Sequence, residues 1–320
     1  MNVQGNIIWV TGAHGFIGRH LSRELARNGA LVCGLGHGTW PEAEAEAWGV
    51  RYWLNGDIAV SNLSYLHHLS GVPHAIFHLA GGSSVGAAIA QPHEDFARTV
   101  GSTAELLEWI RQNSPETRLV AVSSAAVYGA GHDGAIREDA VLSPYSPYGY
   151  HKLMMEQMCR SYGDSFGIRS AVTRLFSIYG PGLKKQLLWD LCNKFASGRD
   201  PIELGGTGEE CRDWVHVRDV VSAVTACLPL AEAHAPVVNV GSGVATPVRD
   251  IARLMSNAWS EVGNHSPHIS FSGKGRPGDP FSLVANATKI QQISGPFQMT
   301  LETGLMDYVE WFCRQTAGDY

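Results

Sequence analysis

Short apolar runs alternate with longer stretches of mixed polarity through the first half of the chain. Asn6–Thr11 is a compact apolar run that ends against Gly12, the signature of a buried strand. Over Phe16–Asn28 the apolar positions fall at Phe16, Ile17, Leu21 and Leu25, which is helical spacing. Ala30–Leu35, Ala75–Leu79, Arg118–Ser123 and Ser170–Phe176 repeat the strand pattern, and a further strand is expected before Asn55. Ala97–Gln112 and Tyr148–Phe166 repeat the helical one. Strands alternating with helices predict an α/β fold, a doubly wound parallel sheet covered on both faces, with a right-handed first crossover.

After about Gly180 the alternation weakens. Runs rich in Gly, Pro and polar residues follow: GPGLKK, GGTGEE, GSGVATP and GKGRPGDP. A chain of 320 residues exceeds the size at which single cores stop growing, so a smaller second lobe is the natural reading. The expected division is residues 1–180 for the sheet domain, with further elements from 212–242, and 181–320 mainly for a C-terminal substrate-binding lobe. No internal repeat interrupts this order.

Composition narrows the function classes. Hydrophobic residues make up 44% and charged residues 17%, as in a globular protein with a substantial core. The net charge is -6 with no basic run, so neither nucleic acid nor an anionic membrane surface is an expected partner. No apolar stretch of about 18 residues is present, so no membrane span is expected. MNVQGNIIWV lacks a basic region and a small-residue cleavage site, so no signal peptide is expected. The six cysteines have scattered spacings and no CxxC pair, which reads as reduced thiols in a cytoplasmic protein. The histidines, His14 and His78 among them, show no metal-ligand spacing, so no metal is expected.

The candidate chemistry begins at TGAHGFIG. Gly12, Gly15 and Gly18 follow a strand and open a helix, the arrangement that lets a backbone approach a diphosphate at a helix N-terminus. Phe16 and Ile17 at the helix start join this cofactor set. The second strand ends in CGLGHGTW, with Gly36 and His37 where a ribose-binding acid would stand. That leaves room for a 2′-phosphate and modestly favours NADP(H) over NAD(H). His37 reads equally as a solvated loop residue. Asp57, in NGDI beside Ile58, is a candidate for the adenine amino group or a turn residue.

The candidate reacting group is SPYGYHK, where Tyr148 and Lys152 lie one helical turn apart. A phenol titrates near pH 10, and a neighbouring ammonium is expected to lower it by stabilising the phenolate. Tyr148 is then expected to exchange a proton with a sugar hydroxyl or carbonyl oxygen, Ser124 to supply a second hydrogen bond to that oxygen, and Lys152 to reach the nicotinamide ribose; taken alone, the spacing reads instead as surface packing. Tyr145 and Tyr150 have no lysine four residues on.

Taken in order, these motifs resemble the extended short-chain dehydrogenase/reductase family, and within it the nucleotide-sugar epimerases and reductases. The resemblance runs through TGAHGFIG, GDI, HLAG, SSAAVYG, SPYGYHK, RLFSIYGPG, GGTGEECRDWVHVRDV, NVGSG and RPGDP. It implies a Rossmann-type dinucleotide domain, with Leu79, Ala80, Gly81 and Phe176 also against the cofactor. It implies a nucleoside-diphosphate sugar held by Ser83, Ser177, Arg212 and Arg276, and a homodimer built on the two long helices. A guanidinium fork suits phosphate oxygens. Arg212 reads alternatively as an ion-pair partner of Asp213 or Asp219. Three positions depart from the family pattern: the missing acid near His37, Thr99 in place of an Asn, and Ser177 in place of another Asn. Ala125 and Ala126 stand where the dehydratase branch carries an acid and a base, which argues against 4,6-dehydration.

Reduction of a 4-keto sugar with Tyr148 as proton donor is the main expectation, a 4-epimerase retaining NAD the alternative. A non-catalytic dinucleotide sensor or scaffold is disfavoured, because Ser124, Tyr148 and Lys152 are all present.

Overall fold

The computed structural model describes residues 3–263, 265–274 and 281–317. The central strands are β1 (Ile7–Thr11), β2 (Leu31–Gly36), β3 (Val50–Asn55), β4 (Ala75–His78), β5 (Arg118–Ser124) and β6 (Ser170–Leu175). Shorter strands follow: β7 (Ser177–Tyr179), β8 (Ile202–Leu204), β9 (Cys211–Arg212), β10 (Trp214–His216) and β11 (Val237–Val240). The helices between them are α1 (Phe16–Arg27), α2 (Glu42–Ala47), α3 (Val60–Ser70), α4 (Val85–Ala90), α5 (Pro92–Phe96), α6 (Ser102–Asn113) and α7 (Pro147–Phe166). Then come α8 (Gln186–Ala196), α9 (Val217–Ala226), α10 (Val248–Glu261), α11 (Thr288–Ser294) and α12 (Leu301–Ala317).

Seven strands form one parallel sheet in the order β11-β6-β5-β4-β1-β2-β3. The chain builds outward from β1 to β3, then returns to lay β4 on the other side of β1. The connections after β1 and β4 therefore leave in opposite senses and open a crevice at the C-terminal ends of the strands. Alternate residues face opposite layers. Ile8, Val10, Val32, Val120 and Val238 pack with Leu21 and Leu25 of α1 and Val220 and Val224 of α9. Trp9, Cys33, Ile76, Leu119 and Ala121 pack with Leu63, Leu106, Ile110 and Met155 of α3, α6 and α7. Being buried on both faces is why these strands read as unbroken apolar runs.

A separate core holds the C-terminal lobe. Leu188, Leu191 and Phe195 of α8 pack there with Ile251, Met255 and Trp259 of α10 and with Leu305, Tyr308 and Phe312 of α12. Among the described residues, no helix is long and apolar enough to cross a membrane.

Two local features refine the helical pattern. The stretch expected as one helix over Ala97–Gln112 begins as a widened π turn, Ala97–Gly101, before α6. Ser102 Oγ donates to Arg98 O at 2.5 Å and Thr103 Oγ1 to Thr99 O at 2.6 Å, so hydroxyls compete for carbonyls of the preceding turn. Helix α7 starts where Ser146 Oγ accepts from Gly149 N at 3.3 Å, with Pro147 in the first turn. It stops at Gly167, whose φ of 72° closes the helix in the left-handed region. These caps fix the register that carries Tyr148 and Lys152.

Candidate active site

The C-terminal ends of the sheet strands border a cleft of about 1520 Å³. That exceeds the roughly 300–1,000 Å³ of a site for one small ligand, so there is room for two molecules end to end. One end is built by the glycine turn. Gly12 has φ +72°, and a Cβ there would lie 2.9 Å from Ala80 N; one on Gly18 would collide with Gly12 O. The turn is thus closed by backbone against backbone. Helix α1 starts at Gly15 with no side-chain cap, which leaves its first N–H groups for a ligand. This cradle fits the diphosphate of a dinucleotide, with Phe16 and Ile17 lining the same wall.

At the far side of the turn, His37 Nε2 lies 3.0 Å from Asp57 Oδ1, both side chains largely exposed. Ile58 is buried behind them and also borders the cleft. Across the crevice, Leu79 N donates to Thr11 O at 3.1 Å and Ala80 N to Thr11 Oγ1 at 3.2 Å. His78 lies 2.7 Å from Thr11 Oγ1 through Nδ1 and 3.1 Å from Thr103 Oγ1 through Nε2. Burial, helped by the Lys152 charge, pushes His78 down to about 3, so it is neutral and serves as a clamp between β1, β4 and α6. Thr99, at the position of the family's Asn, pins the loop after β4, since its Oγ1 accepts from Gly82 N at 2.8 Å.

Ser124, Tyr148 and Lys152 meet over the middle of the cleft. Ser124 is the last residue of β5, and its Oγ accepts from Ala126 N at 3.2 Å. Burial pushes the Tyr148 phenol up, a side-chain hydrogen bond with Ser124 pulls the other way, and the Asp95 charge adds to the upward push. The expected lowering by Lys152 is therefore not supplied by the chain alone. Lys152 Nζ instead donates to Val122 O at 3.0 Å and lies 5.9 Å from the centre of the Tyr148 ring. Burial pulls Lys152 down to about 8, opposed by Asp95 and Glu156. It still carries its charge at neutral pH.

Beneath this group lies a polar network. Glu156 takes a bidentate grip from Arg174, with Nη2–Oε2 at 2.7 Å and Nε–Oε1 at 3.0 Å, and accepts from Ser123 Oγ at 2.5 Å. Arg174 Nη1 also donates to Tyr128 Oη at 2.9 Å, and Tyr128 donates to Asn239 Oδ1 at 2.7 Å. The network ties α7 to β5, β6 and β11.

The opposite wall comes from the segment after β6 and from β9. Phe176, Ser177 and Arg212 border the cleft, and Ser83 faces them from the loop after β4. Lys185 crosses between the walls, its Nζ donating to Ser83 O at 3.1 Å. Arg212 Nη1 donates to Cys211 O at 2.8 Å. Asp213 is engaged elsewhere: its carboxylate accepts from the backbone N–H groups of Ser242, Gly243 and Ala285. Asp219 accepts from Gln298 N and Met299 N. Arg276 lies outside the described residues. Asp95 belongs to none of the motifs, and His151 and Lys185, though inside SPYGYHK and GPGLKK, were given no role by the sequence.

With the fold and cleft in view, the comparisons with known proteins converge. The chain belongs to the NAD dependent epimerase/dehydratase family, whose match covers residues 8–241. It is 30% identical over 306 residues to a UDP-glucose 4-epimerase of Azospirillum brasilense, spanning 90% of this chain and 86% of that protein. A GDP-6-deoxy-D-mannose reductase of Pseudomonas aeruginosa is 28% identical over 257 residues, 78% of this chain and 79% of that one. The solved structure of MoeE5 in complex with UDP-glucuronic acid and NAD superposes with a TM-score of 0.82 at 30% identity, covering 97% of this chain and 100% of that one. The Rossmann-type sheet and the extended short-chain dehydrogenase/reductase type expected from the motifs both hold.

Proposed function

We propose that the protein is a nucleotide-sugar 4-epimerase that keeps NAD bound through its cycle. The observation that carries this reading over the reductase is the His37–Asp57 pair. The imidazole that stands where a 2′-phosphate would lie is engaged 3.0 Å from a carboxylate, and a phosphate placed there would face that carboxylate as well. The 4-epimerase and the NAD-bound structure among the relatives support the same choice. The missing acid after β2 and the reductase relative favour NADP(H)-dependent reduction of a 4-keto sugar as the second reading.

When bound, the dinucleotide supplies a hydride acceptor that becomes the donor in the return step. The chain's residues do the rest. Tyr148 removes the proton from the sugar 4-hydroxyl and later returns one, while Ser124 holds the same oxygen. A bound oxidised nicotinamide would add the positive charge that favours the Tyr148 phenolate, which the chain's own groups do not supply. Lys152 holds the nicotinamide ribose and adds its own charge. Gly12, Gly15, Phe16, Ile17, Asp57, Ile58, Leu79–Gly81 and Phe176 bind the dinucleotide. Ser83, Ser177, Arg212 and Arg276 take the nucleoside-diphosphate sugar, Arg212 and Arg276 on the diphosphate. Ala125 and Ala126 offer neither acid nor base beside the sugar, which argues against dehydration.

By this reading residues 1–180, with elements from 212–242, bind the dinucleotide, and 181–320 mainly bind the substrate. The half-exposed Tyr150 and Met154 on α7, beside Phe96, favour a homodimer across that face. Six cysteines with no disulfide favour a reducing, cytoplasmic setting.

The test is direct. Protein incubated with UDP-glucose or UDP-glucuronic acid and no added cofactor is expected to form the C4 epimer, followed by proton NMR, and to release NAD on heating. Turnover that starts only when NADPH is supplied with a 4-keto sugar would replace this reading with the reductase. A second expectation concerns the cradle. A Cβ at Gly18 meets backbone it cannot displace, so Gly18→Ala should weaken dinucleotide binding by about tenfold to a hundredfold, as overpacking of roughly 1–3 kcal/mol implies. Fluorescence titration with NADH checks this, and an unchanged affinity would show that the turn does not hold the cofactor.

A further inference from the structure

The loop after β4 covers a buried pair that the proposed chemistry does not use. Asp95 of α5 and His151 of α7 stand 56 residues apart in sequence, yet His151 Nδ1 lies 2.5 Å from Asp95 Oδ2. Their side chains are only 5% and 11% exposed. The other carboxylate oxygen presses on the loop, since a Cβ on Gly82 would collide with Asp95 Oδ1. The preceding residue touches the lysine of the reacting group: a Cβ on Gly81 would lie 3.3 Å from Lys152 Nζ. Asp95, the Gly81–Gly82 loop and Lys152 thus form one packed unit, and His151 precedes Lys152 on the same helix.

A buried carboxylate disfavours folding unless its surroundings compensate, so its retention next to a reacting lysine invites a functional account. Among the described residues, the titratable groups facing Lys152 are few. Helix α7 contributes Tyr148 and Glu156, β4 contributes His78, and α5 contributes Asp95. His78 is held neutral by burial. Glu156 is gripped by Arg174 of β6 and by Ser123 of β5. Asp95 is the other carboxylate of this set, and its partner is an imidazole rather than a guanidinium.

We propose that Asp95 and His151 are a positioning pair for the reaction: the imidazole fixes the carboxylate beneath the Gly81–Gly82 loop, and the carboxylate keeps Lys152 an ammonium ion where Tyr148 needs one. Burial alone drives Lys152 downward, and Asp95 is the larger of the two charges opposing that drive. The kinetic consequence rests on the 4-epimerase reading; the effect on Lys152 does not.

The experiment follows Lys152 by NMR of ¹³C-labelled lysine alongside the pH profile of kcat. Asp95→Asn keeps the shape and removes the charge. It should lower the Lys152 titration and the alkaline limb of kcat together, by about one pH unit, with dinucleotide affinity held within about threefold. His151→Phe removes the nitrogen that fixes the carboxylate beneath the loop, so its charge is no longer held against Lys152 and the same shift is expected. His151→Asn returns a nitrogen donor near the position of Nδ1 and should restore the wild-type profile. An unmoved Lys152 titration in Asp95→Asn overturns the inference, as does a kcat reduced by the same factor at every pH. Should Asp95→Asn fail to fold, the two His151 variants make the same comparison. A wild-type protein that turns over no nucleotide sugar would sink the epimerase reading, while the Lys152 titration would still decide the role of the pair.

Discussion

Tyr148→Phe is expected to lower the turnover of a nucleotide sugar by about 10²–10⁴, the range for loss of a positioned proton-transfer group, with dinucleotide affinity nearly unchanged. The substitution removes one oxygen. The ring keeps its place on α7, whose start is set by the Ser146 cap and Pro147, and Lys152 keeps its bond to Val122 O. The phenol's local partner is Ser124, which neither buries nor anchors the glycine turn. Loss therefore belongs in kcat, and binding of NADH, read by fluorescence titration, should move by less than about threefold. If the variant turns over at the wild-type rate, the proton passes through another group. If it loses the cofactor instead, Tyr148 is structural.

Arg174→Met is expected to cost about 3–5 kcal/mol of stability, the usual consequence of removing one partner of a buried ion pair. The side chains of Arg174 and Glu156 are only 4% and 7% exposed, and the guanidinium also supports Tyr128 and the Glu138 carbonyl. Deleting the cation leaves buried Glu156 with only the Ser123 hydroxyl among the side-chain donors that now hold it. The double variant Arg174→Met with Glu156→Leu should recover much of the loss, because the two charges then disappear together. Denaturant unfolding followed by circular dichroism measures both. A single variant as stable as wild type would mean that water or relaxation already satisfies Glu156.

Much of the fold was legible because the sheet is buried on both faces. β1, β4, β5 and β6 each carry a short apolar run, so even crude boundaries land within a residue or two of Ile7–Thr11, Ala75–His78, Arg118–Ser124 and Ser170–Leu175. The glycine turn, Ser124, Tyr148 and Lys152 were legible because their spacing is set by a strand end or a single helical turn, both local properties. What sequence reasoning missed is long-range or electrostatic. The Asp95–His151 pair joins two helices through space, and although His151 lies in SPYGYHK, no spacing in the chain points to Asp95 as its partner. The π turn depends on where Ser102 and Thr103 send their hydroxyls. The direction of the Tyr148 shift depends on burial outweighing the Ser124 hydrogen bond, while Lys152 donates to a carbonyl instead. None of these is encoded in residue spacing.

The clamp through Thr11, His78 and Thr103 divides the cleft into parts with different freedom to change. The turn after β1 and the loop after β4 are fastened together, so an alteration in either is felt at the reacting group. His37 and Asp57 sit at the ends of β2 and β3, exposed and bonded mainly to each other. Their backbone carbonyls are tied separately, His37 O lying 3.3 Å from His14 Nδ1 of the glycine turn and Asp57 O accepting from Asn62 Nδ2 at 2.9 Å, so the paired side chains are left free of the reacting group. On the proposed reading, preference between the two dinucleotides is set at this outlying pair of side chains, and substitutions there are expected to exchange it with little effect on the proton chemistry. A lineage built on this scaffold would then have a short route from one cofactor pool to the other, and an engineer the same one.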